Sequence, residues 1–223
     1  MDQLPSREYT DEIVANTLIG HCPLVPEIRL RLLSRKGPWS DAEAHIFSED
    51  GPQPYWAFAW GGGQVTARYL LDHPQVVAGK RVFDFGAGSG IAGIAASMSG
   101  AASVTANDVD PRSLAAIRLN AELNGTHVEV SSANVVLAEI PIVDVLLASD
   151  VFFHWPGNEN VIFGQKELTT ILVAVPNRRG LAPGREFPLR QMTELVTYDV
   201  RTVPEIEIDQ IRSATLYEYH PFT

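Results

Sequence analysis

Apolar and polar positions follow two periods along this chain, and the switches between them mark its elements. Short runs rich in β-branched and aromatic residues read as buried strands: 82–85, Ser103 to Asn107, Val128 to Ser131, Val143 to Ala148 and Thr170 to Val175. Between them, apolar residues recur at helical spacing. Gln64 opens an amphipathic stretch with Val65, Tyr69 and Leu70; residues 90–100 carry Ile91, Ile94, Ala95 and Met98; Pro111 to Leu123 carries Leu114, Ala115, Ile117, Leu119 and Leu123. Pro111 suits a first helical turn and Asn124-Gly125 an end. A helix around Glu186 to Leu195 and strands at about Thr197 to Thr202 and Ala214 to Tyr219 complete seven expected strands. Such alternation implies right-handed crossovers, a mostly parallel sheet and ligands at the carboxyl ends of its strands. The expected fold is α/β, a Rossmann-like doubly wound sheet over 52–223 as one compact unit. Residues 1–51 read as an N-terminal cap, with helices expected over about Thr10 to Leu18 and over Pro26 to Ser34, where Pro26 suits a first helical position. His154 to Gln165, rich in Pro, Gly and Asn, reads as a loop over the site.

Chemistry enters where the first strand of this alternation breaks into Gly86, Gly88 and Gly90. Glycines let the backbone turn tightly and approach a ligand, and the next helix offers unpaired N–H groups at its start. Two registers compete. Gly88, Gly90 and Gly93 spell the glycine pattern of dinucleotide sites, but there the first glycine directly follows the strand, and here that residue is Gly86. The frame Asp84-x-Gly86-x-Gly88-x-Gly90 resembles the first motif of Rossmann-like methyltransferases that use S-adenosylmethionine, in which the acid serves the cofactor's cationic methionine end. A carboxylate beside a cation is favourable; beside a pyrophosphate it would repel. The plainer alternative is a structural turn with no ligand. Asp108, at the end of the second strand, can accept both hydroxyls of a ribose, leaving Asp110 to cap the helix that follows. Gly86, Asp108, Asn134 and Asp150 each fall at a strand's carboxyl end, with Ala87, Asn107 and Ser149 beside them as further candidate cofactor contacts.

Composition narrows the classes. At 223 residues, 45% apolar and 20% charged, the chain has the make-up of a soluble globular protein. Its apolar runs are too short to cross a bilayer and its start lacks a basic-then-apolar leader, so the expected location is cytoplasmic, with no membrane partner. One cysteine, Cys22, excludes an internal disulfide and a cysteine-cluster metal site; His21 and His45 stand alone, and no metal is expected. A net charge of −10 argues against nucleic acid as a partner. Tyr55, Trp56, Phe58 and Trp60 run into Gly61-Gly62-Gly63, which reads as either core or a pocket wall beside flexible glycines.

The strings PYWAFAWGGGQVTARYLLDHP, DFGAGSGIAGIAA, TANDVDPRSLAAIRLNAELNG and LLASDVFF together resemble one branch of the class I S-adenosylmethionine-dependent methyltransferases. It is the branch of the electron-transfer-flavoprotein β-subunit lysine methyltransferases, whose bacterial relatives are often labelled nicotinamide N-methyltransferases. The resemblance implies that Asp84, Gly86 and Gly88 cradle S-adenosylmethionine, that Asp108 binds the ribose, that Asn134 stands near the adenine amino group and that Trp60 and Gln64 border the cofactor. It further implies that Asp150, Phe152 and Phe153, matching the branch's D-x-x-Y/F signature, meet the acceptor amine. The implied partner is a protein with an accessible lysine, such as the flavoprotein β-subunit, and the product S-adenosylhomocysteine. The chain departs from the branch at 154–170 and at Val175-Pro176-Asn177-Arg178. These changes leave open a small-amine acceptor or a domain that binds the cofactor without catalysis. A nicotinamide-dependent dehydrogenase rests on the Gly88–Gly93 pattern alone.

Overall fold

The computed structural model describes residues 7–33, 54–137, 140–151, 162, 170–176, 191–201 and 211–220. Helix α1 (Arg7–Asn16) leads into a hairpin of β1 (Thr17–Cys22) and β2 (Val25–Leu33). After a short 3₁₀ turn at Tyr55–Ala57 come α2 (Gly61–Asp72), β3 (Arg81–Phe85), α3 (Ile91–Met98), β4 (Ser103–Asn107), α4 (Pro111–Leu123) and β5 (Glu129–Ser131). Strands β6 (Val145–Ser149), β7 (Thr170–Pro176), β8 (Met192–Arg201) and β9 (Ile211–Tyr219) follow.

The seven strands β3 to β9 form one sheet in the order β5-β4-β3-β6-β7-β9-β8, with β9 antiparallel to both its neighbours and the other pairs parallel. Strands β3, β6 and β7 are buried on both faces, which is why they read as unbroken apolar runs. Alternate residues feed opposite cores: Val82, Val145 and Leu147 pack with Leu70 and Ile94, while Phe83, Leu146 and Ile171 pack with Val135 and Ile162. Because β4 and β5 lie on one side of β3 and β6 on the other, the chain changes direction at β3, and a crevice opens at the strands' carboxyl ends.

The expected seven-stranded fold is thus observed, with corrections at its margins. Pro26 to Ser34 is strand β2, not a helix: Ile28 and Leu30 are buried while Glu27 and Arg29 are exposed, the two-residue period of a strand. Pro26 is tolerated because the register slips opposite it, between Gly20 and Cys22, where no ladder N–H is required. The expected helix over Thr10 to Leu18 starts earlier and stops at Asn16; the Asn16 amide and the Thr17 hydroxyl donate to the carbonyls of Glu12 and Ile13 in its last turn. Residues 192–195, expected in a helix, begin strand β8; the rest of that helix, and the loop over 154–165 apart from Ile162, lie outside the described residues. Helix α2 begins at Gly61 rather than at Gln64.

The hairpin is held to α4 by side chains that imitate a strand. Asn124 accepts from the Arg29 N–H and donates to its carbonyl, and Asn120 accepts from the Arg31 N–H. Helix α1 is tied to α4 by Glu12 and Arg112, 3.1 Å apart, and by Ile13 packed with Ala115 and Ala116.

Candidate functional site

Strand β3 ends at Phe85, and the next five residues hold three glycines with left-handed backbone: Gly86 (φ 63°), Gly88 (φ 52°) and Gly90 (φ 79°). L-residues with a Cβ adopt these angles only at a cost. At Gly86 space is also decisive, because an added Cβ would lie 2.6 Å from Val151 Cγ1. Gly88 is open by contrast: its nearest neighbour is the Tyr55 carbonyl at 3.8 Å, so the aromatic stretch forms a wall beside a turn with room above it. That wall is internally braced, since Trp60 Nε1 donates to the Tyr55 carbonyl at 2.7 Å and the Trp60 ring packs against Tyr55 and, edge-on, against Phe58.

The turn's N–H groups decide between the two registers. Ala87 donates to the Asn107 carbonyl, Gly88 to Asp108 Oδ2 and Gly90 to the Ala87 carbonyl. Gly93, the third glycine of the dinucleotide pattern, lies inside α3 and donates to Asp84 Oδ2. These four donors are turned inward, so none of them is aimed at a pyrophosphate as the dinucleotide pattern would require. The turn's use is close approach.

Asp84 sits differently from the sequence expectation. Its carboxylate is 1% exposed and turned onto the first turn of α3 through Gly93, so it fastens the glycine turn to the sheet. Burial pushes its carboxyl up to about 7, with the charge of Asp108 adding to the rise and the Gly93 N–H opposing it. In the unfolded chain the same group titrates near 3.8. Between these values the folded protein holds the proton longer, so the group's contribution to stability falls as pH rises from about 4 to about 7. Asp84→Asn keeps an oxygen for Gly93 but cannot ionise. Wild type should therefore lose stability relative to the variant across that window, as read by urea unfolding at its two ends. Parallel pH curves would contradict it.

Asp108, expected to bind a ribose, follows β4 beside the glycine turn. Oδ2 accepts from the Gly88 N–H and Oδ1 from the Asp110 N–H, at 2.9 and 3.0 Å, and the Ser113 side chain makes a further hydrogen bond to the carboxylate. Burial pushes its carboxyl up, while the two N–H donors favour the anion. Asp110 caps α4 as expected, accepting from the Arg112 N–H. Val109 stands between them, exposed. Asn107 is engaged elsewhere, because its amide donates to the carbonyls of Ser131 and Ala133 and ties β4 to the end of β5. Asn134 is exposed at that same edge, its oxygen accepting from the Val136 N–H.

At the other side of β3, Ser149 and Asp150 end β6. Asp150 Oδ2 accepts from the Gly63 N–H at 3.0 Å, and the Ser149 and Thr66 hydroxyls lie 2.9 Å apart. Val151, which closes on Gly86, brings this end of β6 against the glycine turn. Gln64, expected beside the cofactor, is buried, and its amide group donates to the carbonyls of Ala59 and Arg201 instead. Phe152 and Phe153 lie outside the described residues. Sequence reasoning missed Thr66 and took Gly61 to Gly63 as flexible; the signal was three glycines opening a helix whose next turn carries a hydroxyl. Among the described residues no three His, Cys, Asp or Glu side chains converge as for a metal, and no helix is long and apolar enough to cross a membrane.

Known proteins resemble this chain in sequence and in fold. The family model described as ribosomal protein L11 methyltransferase matches residues 56–150. Two electron transfer flavoprotein beta subunit lysine methyltransferases match nearly the whole chain: that of Mus musculus is 35% identical, covering 96% of this chain and 84% of the relative, and that of Xenopus laevis is 42% identical, covering 94% and 86%. In fold, the chain resembles the ribosomal protein L11 methylase of Lactobacillus delbrueckii subsp. bulgaricus (TM-score 0.51, 18% identity, covering 76% of this chain and 80% of that one). It also resembles a 16S rRNA methyltransferase of T. thermophilus solved with its methyl donor and guanosine (TM-score 0.53, 13% identity, covering 92% and 50%).

Proposed function

Because this chain belongs to the electron transfer flavoprotein beta subunit lysine methyltransferase family, we propose that it transfers the methyl group of S-adenosylmethionine to a lysine side chain of that flavoprotein subunit. The observation that carries the assignment of roles is the contact of Val151 with Gly86, which sets Asp150 beside the glycine turn and opposite Asp108. One edge of the sheet thereby holds a place for a donor and a place for an acceptor.

When bound, S-adenosylmethionine supplies a methyl group on an activated sulfonium, so the reaction needs alignment and exclusion of water rather than a protein nucleophile. Asp108 accepts the ribose hydroxyls, Gly86 and Gly88 allow close approach, Asn134 meets the adenine amino group, and Trp60 with Tyr55 walls the site. Asp84 acts from behind, holding α3 in place. Asp150 accepts a hydrogen bond from the acceptor nitrogen and orients its lone pair once the ammonium has lost a proton to water. Phe152 and Phe153 are proposed, from the resemblance, as the aromatic face for the cationic centre. Residues 1–51 are proposed as a cap on a unit spanning 52–223. Cys22 is buried, its thiol pushed up by that burial, and the cytoplasm is the proposed location.

Incubating the purified protein with methyl-labelled S-adenosylmethionine and either electron transfer flavoprotein or free nicotinamide tests the acceptor. Label in the flavoprotein β-subunit is the expected result; label in nicotinamide alone would overturn it.

A further inference from the structure

The first turn of α2 is three glycines, and each is approached by a different part of the fold. A Cβ on Gly61 would stand 3.0 Å from Val200 Cγ2 of β8; one on Gly62 would stand 2.7 Å from Asp150 Oδ2 and 2.9 Å from the Ala174 carbonyl; one on Gly63 would stand 2.9 Å from Ile91 Cγ2 at the start of α3. None of the three has left-handed backbone, so they are not there to permit a turn. At Gly62 and Gly63 a Cβ fits only if its neighbours shift, and at Gly61 the Val200 methyl would have to give by a few tenths of an ångström.

What they admit is Asp150. Among the described residues it is the one non-glycine with positive φ, at 60°, a conformation that persists only when its surroundings impose it. The surroundings here are explicit. Its N–H donates to the Ala174 carbonyl at 3.1 Å, and its Oδ2 accepts from Gly63 at 3.0 Å. One turn along α2, Thr66 meets the preceding residue, Ser149, through their hydroxyls. Trp60, at the N-cap of α2, supplies no side-chain cap, and Asp150 does so from across the fold. A carboxylate held through Oδ2, on a backbone pinned through its N–H, has its direction set by α2.

We infer that Gly62 and Thr66 are positioning residues, which fix where the Asp150 carboxylate meets the acceptor amine without touching that amine themselves. The inference rests on the reading of Asp150 as the residue facing the acceptor. The bare first turn lets α2 approach closely enough for the Gly63 N–H to reach Oδ2, and Thr66 stops the end of β6 from sliding along the helix.

A double-mutant cycle separates positioning from simple packing. Gly62→Ala should lower kcat by about tenfold or more while affinity for S-adenosylmethionine, by calorimetry, changes little, since a small misplacement of a reacting group costs rate before it costs binding. Thr66→Val, which adds no bulk, should lower kcat less, in the same pattern. In an Asp150→Asn background both further losses should largely vanish. Losses that multiply fully with that of Asp150→Asn would overturn the inference. So would variants that melt earlier but keep wild-type kcat. Should Gly62→Ala fail to fold, Thr66→Val decides by the same criteria. Full activity in Asp150→Asn alone would remove the role of Asp150 itself, and the inference with it.

Discussion

Asp150→Asn should lower the rate of methyl transfer by about 10²-fold or more and leave the affinity for S-adenosylmethionine within about twofold of wild type. The asparagine oxygen can still accept the Gly63 N–H that Asp150 Oδ2 accepts at 3.0 Å, so the cap on α2 and the fold survive. What disappears is the negative charge that holds a nitrogen on its way from ammonium to methylated amine. Asp150→Ala removes the cap as well, and should add a stability loss of about 1 kcal/mol, or about 2–4 °C in Tm for a chain of this size. The two variants thus separate chemistry from architecture. Steady-state rates at saturating methyl donor, with calorimetry on the same samples, provide the measurement. A rate for Asp150→Asn within twofold of wild type would show that the carboxylate serves only as a cap.

The second large effect falls on binding. Asp108→Ala should weaken S-adenosylmethionine by about 1.5–3 kcal/mol, roughly 10- to 150-fold, the usual worth of hydrogen bonds to a charged group. Two losses combine, because the ribose loses its acceptor and the N–H groups of Gly88 and Asp110 lose theirs. The glycine turn is then fixed at one point fewer. Raising the donor concentration should restore most of the turnover, since Asp108 does not touch the reacting atoms. An unchanged dissociation constant, or a kcat loss that saturation cannot repair, would place the ribose elsewhere.

Much of this site was legible in the chain because parallel strands buried on both faces leave unbroken apolar runs, and β3, β4, β6 and β7 are of that kind or close to it. Their ends, and the residues Gly86, Asp108 and Asp150 that follow, could be placed by counting. The hairpin could not. In β2, Ile28-Arg29-Leu30-Arg31-Leu32 alternates as a strand does, but Ile28 and Leu32 as well as Leu30 and Leu33 also sit at helical spacings, and its partner β1 exposes Leu18 and Ile19 side by side. Only the cross-strand pairing settles the period. The roles of Gln64 and Asn107 were hidden for another reason: an amide that serves a ligand and one that serves a distant carbonyl look alike until the fold brings Arg201 or Ser131 within reach. Asp84 was rightly placed at the strand end, yet its direction depended on how closely Gly93 lets α3 approach, with a Cβ there only 3.1 Å from Asp84 Oδ2. The same holds for Gly61 to Gly63, whose spelling suggests freedom and whose surroundings show confinement.

The most direct measurement is the intact mass of the electron transfer flavoprotein β-subunit after incubation with this protein and S-adenosylmethionine, followed by mapping of the modified peptide. Added methyl mass on a lysine of that subunit is expected with wild-type protein, and an unmodified subunit with Asp150→Asn over the same period. An unmodified subunit in the presence of wild-type protein that binds the methyl donor, or modification that persists undiminished in Asp150→Asn, would contradict the assignment.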